Sequence, residues 1–145
     1  MKDYLKKAWE LKEQNTDLNH LMISIREYLL SHFQELDRKY QANSILESRF
    51  TPPEIAFVIG MNTCGSKVNI ATEMLRHLGY KVKKVHGSIP NSKDHAWIKV
   101  QDPLDDVWKN FDLTREDCQV TSEHELIAEC DEWIDIKEKI IEAIQ

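Results

Sequence analysis

The sequence predicts one mixed α and β domain, in which helices come first, a small sheet follows and helices end the chain. The length of 145 residues is close to the roughly 150 residues typical of a single domain. The composition, with 41% hydrophobic and 30% charged residues, is that of a globular protein and excludes a disordered chain. The spacing of hydrophobic residues changes from helical to alternating near residue 81, which indicates that the sheet follows the first helices.

Two helices are predicted at the start of the chain. Leu5, Ala8 and Trp9 have helical spacing in a first short helix. Asp17 is a suitable N-cap for a longer second helix, because its carboxylate can accept hydrogen bonds from the free amides of the first turn. The second helix carries a continuous apolar stripe and is therefore expected to face the core; the stripe consists of Leu18, Leu21, Met22, Ile25, Leu29, Phe33 and Leu36.

Two more helices are predicted in the middle of the chain. Pro52 and Pro53 favour the start of a short helix that ends at Gly60. From about residue 65 the helical period returns, and Gly79 occupies the position where a left-handed cap ends a helix. Cys64 is therefore expected at the N-terminus of a buried helix, whose apolar positions are Val68, Ala71, Leu75 and Leu78.

Three strands are predicted after that helix. The run from Lys81 to His86 is β-branched and lysine-rich, and its lysines favour a solvated edge strand over a binding patch. The run from His95 to Val100 alternates, so that His95 and Trp97 share one face. The third run, from Val107 to Asp112, follows a turn-like stretch rich in aspartate.

The C-terminal segment is predicted to be helical and strongly acidic. Ser122 with Glu125 fits a capping box for a helix near Leu126, and the spacing from Trp133 to Ile144 predicts a last amphipathic helix. Residues 115–145 hold ten Asp and Glu against three Lys and Arg, so the net charge of −6 belongs to this segment. Nucleic acid is excluded as a general partner, because phosphate binding needs a concentrated basic face.

The cysteines and the apolar runs indicate a cytoplasmic protein. Three cysteines without a CxxC pattern favour neither a disulfide framework nor a zinc knuckle. No apolar leader and no run approaching about 18 apolar residues are present, so no membrane partner is expected. Candidate metal ligands lack close spacing and no cofactor pocket is indicated, so neither a metal nor a cofactor is predicted. The oligomeric state stays open.

The spacing of three residues predicts a catalytic Cys-His-Asp arrangement. If Val100 lies opposite Val107 in a hairpin, His95 lies opposite Asp112, and directly opposed side chains point to one face with Cβ atoms roughly 5 Å apart. A thiol at a helix N-terminus is stabilised as thiolate by the helix dipole and by a neighbouring imidazolium. In this interpretation Cys64 attacks, His95 holds and returns the proton, and Asp112 orients His95.

An acyl-transfer site also needs donors for the oxyanion that forms on the substrate carbonyl. The backbone N–H of Cys64 is well placed for this at its helix end. The Asn62 side chain is a candidate second donor, although a local role in a turn is an equal alternative. Trp97 shares the face of His95, where it either walls a substrate cleft or packs against the site and keeps water out.

Three local motifs strengthen the catalytic interpretation. The first motif is the segment from Asn62 to Lys67, which contains Cys64 and is followed by EMLRHLGYKVKKVHG. The second is DHAWIKV, which contains His95, and the third is VWKNFDLT, which contains Asp112. Together they resemble the transglutaminase-like superfamily of papain-like cysteine enzymes, over residues 52–114. The chain departs from the family where Asn62 replaces a frequent glycine two residues before the cysteine, and where Leu113 replaces a frequent proline after the aspartate.

The resemblance implies both a fold and a chemistry. The fold is α+β, with the nucleophile helix packed on a small antiparallel sheet and with flanking N- and C-terminal helices. The chemistry is acyl transfer through a thioester on Cys64, with His95 and Asp112 completing the triad. The expected substrate is a peptide or protein amide, and the acceptor is water, as in a peptidase or amidase, or an amine, as in a transglutaminase.

Two alternatives remain open. The first is a catalytically inactive transglutaminase-like module that binds proteins through the cleft or through the acidic C-terminal segment. The second is acyl transfer from a thioester donor to an arylamine, which would use the same triad on a related fold.

Overall fold

The computed structural model describes residues 1–37 and 39–145 and has an α+β architecture. Over these residues, six α-helices and one short 3-10 helix accompany a four-stranded antiparallel sheet. The elements are α1 (Asp3–Gln14), α2 (Leu18–Glu35), α3 (Ile45–Phe50), α4 (Pro53–Ile59), α5 (Cys64–His77), β1 (Val82–Ile89), β2 (Ser92–Gln101), β3 (Trp108–Phe111), β4 (Glu125–Cys130), the 3-10 helix (Trp133–Ile136) and α6 (Lys137–Ala143). Within the described ranges, no helix is both long and apolar enough to cross a membrane.

The first two helices follow the predicted pattern. The Asp17 carboxylate accepts the backbone N–H of His20 at 2.8 Å and caps α2, as predicted. The apolar stripe of α2 is buried from Leu18 to Phe33. Trp9, in contrast, is 45% exposed. The buried stripe of α1 consists of Tyr4, Leu5, Ala8 and Leu11, which leaves Trp9 at its border.

Left-handed glycines end α4 and α5 as predicted. Gly60 has a φ of 77° and Gly79 a φ of 95°, which are backbone angles that glycine adopts without a Cβ clash. Thr63 caps α5 in a capping box with Ser66, which makes Cys64 the first residue of this helix. Ten of the 14 residues of α5 are buried, so α5 forms the centre of the core between the other helices and one face of the sheet.

The sheet order corrects the prediction for the lysine-rich strand. The strands lie in the order β3-β2-β1-β4, so β1 is an interior strand and not a solvated edge. Lys84 is only 7% exposed, and its Nζ lies 3.2 Å from a carboxylate oxygen of Glu132. The lysines of β1 therefore pair with acidic groups of the C-terminal segment, which the strand sequence alone did not indicate.

The pairing of β2 with β3 differs from the predicted register by two residues. Val100 lies opposite Lys109 instead of Val107, because a longer loop is closed by a 2.9 Å hydrogen bond from the Asp102 amide to the Val107 carbonyl. A shift of two residues preserves the face of every side chain. His95 and Asp112 therefore still point to one side, as diagonal neighbours and not as a directly opposed pair.

The predicted helix near Leu126 is instead the edge strand β4. Its residues pair antiparallel with β1, and Lys84 lies opposite Cys130. The prediction was wrong because it used only the local capping-box pattern of Ser122 and Glu125. That pattern carries no information about the free edge of β1, with which these residues pair. The last helix is shorter than predicted: a 3-10 turn leads into α6, and Trp133 and Ile140 anchor them in the core.

Candidate active site

Cys64 stands at the N-terminal end of α5, as its sequence context predicted. Thr63 and Ser66 close the cap through side-chain hydrogen bonds to each other's backbone amides, both 3.0 Å long. The amides of the first turn have no acceptor within their own helix, which leaves the N–H of Cys64 available to a ligand. The thiol thus lies beside unsatisfied amides and the positive end of the helix dipole.

His95 joins Cys64 to Asp112. The Nε2 atom of His95 lies 2.8 Å from Oδ2 of Asp112, and the His95 ring is close enough to the Cys64 thiol to lower the pKa of that thiol. Because Nε2 is engaged by the carboxylate, Nδ1 is the ring nitrogen that remains for the sulfur. His95 is 6% exposed and Asp112 is 1% exposed, so the pair is shielded from water. The fold therefore brings together the three residues named from the sequence.

The electrostatics of the site favour an ion pair between Cys64 and His95. Burial opposes ionisation of Cys64, but the adjacent His95 and the charge of Arg49 outweigh it and lower the pKa of the thiol to about 7. Burial also opposes protonation of His95, but the hydrogen bond to Asp112 and the adjacent Cys64 raise the pKa of His95 to about 9. Between these values the site holds thiolate and imidazolium together.

The other cysteines have the opposite behaviour. Cys118 and Cys130 are both free and buried. Burial raises the pKa of Cys118 to about 11 and that of Cys130 to about 12. Neither thiol is therefore ionised near neutral pH.

Asp112 accepts hydrogen bonds from more partners than the sequence indicated. Thr114 donates its backbone N–H at 2.9 Å and its hydroxyl at 2.6 Å to Oδ1. His124 donates Nε2 to Oδ2 at 2.8 Å, beside the bond from His95. These donors outweigh the effect of burial and hold the pKa of Asp112 well below its ordinary value. His124 lies just before β4, where the sequence predicts the start of a helix, and no local signal indicated its contact with Asp112.

Trp97 and Asn62 occupy different surroundings. The Trp97 side chain is 1% exposed, donates Nε1 to Oδ1 of Asn110 at 3.2 Å, and meets the His124 ring edge-on at a centroid distance of 5.2 Å. This burial favours the packing interpretation of Trp97 over a substrate wall. Asn62 is exposed at the rim of a groove of about 400 Å³ that is also lined by Phe33, Tyr40 and Thr63. An oxyanion role for Asn62 stays a prediction.

Arg49 is a neighbour of the thiol that the sequence did not single out. Its Nη1 lies 3.6 Å from Sγ of Cys64, and its Nη2 lies 3.1 Å from Oδ1 of Asp94. Sequence reasoning missed it because α3 was not predicted. A usable signal exists, since Ser44 followed by Glu47 is a capping-box pattern, and the Ser44 hydroxyl accepts the amide of Glu47 in the structure.

Three side chains of the site could together ligate a metal ion. His95, Asp112 and His124 offer ligand atoms that lie within 4.8 Å of one another. Their spacing in the sequence did not indicate this cluster, because the fold brings them from β2, from the end of β3 and from the start of β4. The N–O separations of 2.8 Å are those of direct hydrogen bonds from each ring to the carboxylate.

Comparison with known proteins supports the fold class. No family model matches the sequence, and no curated protein matches it. The structure is similar to the crystal structure of "a Putative Cysteine Protease from Cytophaga hutchinsonii", with a TM-score of 0.66 and 13% sequence identity. The similarity covers 90% of this chain and 43% of that chain, so this chain spans less than half the length of its structural neighbour. The α+β architecture is compatible with a papain-like fold.

Proposed function

We propose that the protein is a cysteine-dependent acyl-transfer enzyme of the transglutaminase-like type, acting on peptide or protein amides. The observation that supports this most is the grouping of Cys64, His95 and Asp112, in which His95 is hydrogen-bonded to Asp112 and adjacent to a thiol at a helix N-terminus. The structural neighbour described as a cysteine protease agrees with this class.

The first step forms a thioester. The Cys64 thiolate attacks the amide carbonyl carbon, so a carbon–sulfur bond forms and the carbonyl electron pair moves to oxygen. The backbone N–H of Cys64 stabilises that oxyanion. The oxyanion then collapses, the carbon–nitrogen bond breaks, and the His95 imidazolium gives its proton to the leaving amine. Asp112 keeps the His95 ring in the orientation that this proton transfer needs.

The second step releases the acyl group. Neutral His95 takes a proton from water, and the oxygen of that water attacks the thioester carbonyl. When the carbon–sulfur bond breaks, a carboxylic acid leaves and Cys64 returns as thiolate beside protonated His95. An amine in place of water gives a new amide by the same sequence. Hydrolysis of a peptide or protein amide is the leading reaction, and transfer to an amine is its close variant.

Covalent trapping tests the proposal. A broadly reactive acyl probe is incubated with the protein at about pH 7.5, and mass spectrometry identifies the acylated cysteine. We expect acylation of Cys64, little at Cys118 or Cys130, loss of trapping in Cys64→Ala, and unchanged trapping in the matched Cys118→Ala variant. A Cys64 no more reactive than the two buried thiols would overturn the enzyme proposal. An interaction module would then be favoured, provided that Cys64→Ala retained its cellular partners.

A further inference from the structure

The N-terminus of α5 is closely packed against α3, which brings Arg49 to the thiol. The Ser48 hydroxyl lies 2.6 Å from the hydroxyl of Thr63, the cap of α5. A Cβ at Gly65 would lie 2.6 Å from the Ser48 hydroxyl oxygen and 2.7 Å from Nη1 of Arg49. Such separations are too short for any side chain, so glycine after Cys64 is what permits the guanidinium to approach.

Arg49 is held in place from several sides. Its backbone carbonyl accepts Nδ2 of Asn69 at 2.8 Å, and its guanidinium lies over the Trp133 ring at 5.0 Å from the centroid. Trp133 itself donates Nε1 to Oδ1 of Asn69 at 2.8 Å. The Asp94 carboxylate holds Nη2, and the Arg49 side chain is 1% exposed. A cation fixed in this way needs no rearrangement to act on the sulfur.

From this geometry we propose that Arg49 is a further catalytic residue, whose guanidinium holds the Cys64 sulfur as thiolate in both steps of the reaction. The proposal rests on the enzymatic function proposed above. Arg49 acts only through its charge and its Nη1–H, since a guanidinium keeps its protons throughout the working range. His95, in contrast, becomes neutral after it protonates the leaving amine. Arg49 is therefore the cation that stays beside the sulfur throughout the reaction, including the interval in which His95 is neutral.

Arg49 is better suited to stabilise the Cys64 thiolate than the other basic groups near the thiol. Lys67 lies one helical turn after Cys64 on α5, but burial lowers its pKa. His86 on β1 is fully buried without a polar partner among the described residues, and burial lowers its pKa, which favours the neutral ring. Asp94 takes part of the Arg49 charge through Nη2. Among the described residues, the charged and titratable groups around the site are thus Arg49, Lys67, His86, Asp94, His95, Asp112 and His124.

The test is the pH profile of iodoacetamide alkylation at Cys64, followed by peptide mass spectrometry from about pH 5 to about pH 10. The variants are Arg49→Lys, Asp94→Asn and the double variant Arg49→Met with Asp94→Asn, which leaves no half-buried carboxylate without its partner. We expect the double variant to alkylate about tenfold more slowly at about pH 6, because loss of an adjacent cation raises the midpoint. We expect Arg49→Lys to be intermediate and Asp94→Asn to keep the wild-type midpoint or lower it.

The plateau rate of Cys64 alkylation at high pH distinguishes an effect of Arg49 on the thiol pKa from a structural disturbance of the site. Once the thiol is fully ionised, the wild type and the double variant should alkylate at the same rate, since Arg49 then changes only the thiolate fraction below the plateau. Equal midpoints in the wild type and the double variant would overturn the role of Arg49, as would loss of the plateau. A wild-type midpoint near that of an ordinary thiol, at about pH 8.5, would instead overturn the enzyme proposal itself.

Discussion

At the level of single residues, surroundings and not residue type distinguish Cys64 from the other two cysteines. All three are free thiols, yet the pKa is lowered at Cys64 and raised by burial at Cys118 and Cys130. At Cys64 a neighbouring imidazole and guanidinium outweigh burial, whereas burial outweighs the nearby cations Arg26 at Cys118 and Lys84 at Cys130. The odd number of cysteines is thus explained without a disulfide.

His124 is the residue whose loss should reveal how Asp112 is held. His124→Phe keeps a ring against Trp97 but removes one N–H donor from a buried carboxylate, which should lower the free energy of unfolding by about 2 kcal/mol. Turnover should fall more than substrate affinity, because Asp112 is then held less firmly and orients the His95 ring less well. Urea denaturation and steady-state kinetics measure the two effects. The matched control is His77→Phe on the exposed end of α5; equal effects of the two substitutions would contradict the assigned role.

At the level of elements, the strand pairing around β1 positions the site. Gly87 on β1 lies opposite His95 on one side and Leu126 on the other. A Cβ at Gly87 would overlap the Trp97 ring and the backbone carbonyl oxygen of Glu125. The close approach of β4 to Trp97, and with it the position of His124, therefore depends on this glycine.

Gly87→Ala should consequently destabilise the protein more than a substitution at a strained but open glycine. We expect a loss of about 3 kcal/mol in the free energy of unfolding, because backbone cannot move aside as a flexible side chain can. Gly79→Ala is the comparison: it has a φ of 95° and no atom within 4 Å of its added Cβ, so only strain of about 1 kcal/mol is expected. Urea denaturation of both variants measures the two losses in the free energy of unfolding, and equal losses would contradict tight packing at Gly87.

For the molecule as a whole, the site couples protonation to folding. Folded His95 keeps its proton up to about pH 9, whereas the unfolded side chain loses it near 6.5, so this group lowers stability as pH rises between those values. Folded Cys64 loses its proton near pH 7, whereas the unfolded thiol keeps it to about 9, so this group raises stability over the same range. The two contributions nearly cancel.

Cys64→Ser should remove that cancellation. With serine, only His95 titrates in this range, so stability should decrease from about pH 6.5 upward, while the wild-type protein should show little change between about pH 7 and about pH 9. Urea denaturation at a series of pH values measures both profiles. Cys118→Ala is the control and should keep the wild-type pH dependence, although its stability is lower. Parallel profiles for the wild type and Cys64→Ser would show that the two groups are not coupled.

The sequence by itself determined the features that depend on neighbours along the chain. The Asp17 cap, the left-handed Gly60 and Gly79, and the placement of Cys64 at the start of α5 all follow from interactions within a few residues. The alternation of β2 likewise determined which side chains share the face of His95. Even with the register wrong by two residues, the faces of His95 and Asp112 were correct, because the period of a strand is two.

The tertiary structure alone decided what covers β1 and what surrounds the thiol. Residues 125–130 form a strand because β1 offers them hydrogen-bond partners some 40 positions away, whereas their local pattern favours a helix. His124 reaches Asp112 only as a consequence of that pairing. Arg49 lies 15 residues before Cys64 and 45 before Asp94, and no local pattern encodes contacts over such separations. Packing and long-range hydrogen bonds, and not periodicity, therefore complete the candidate site.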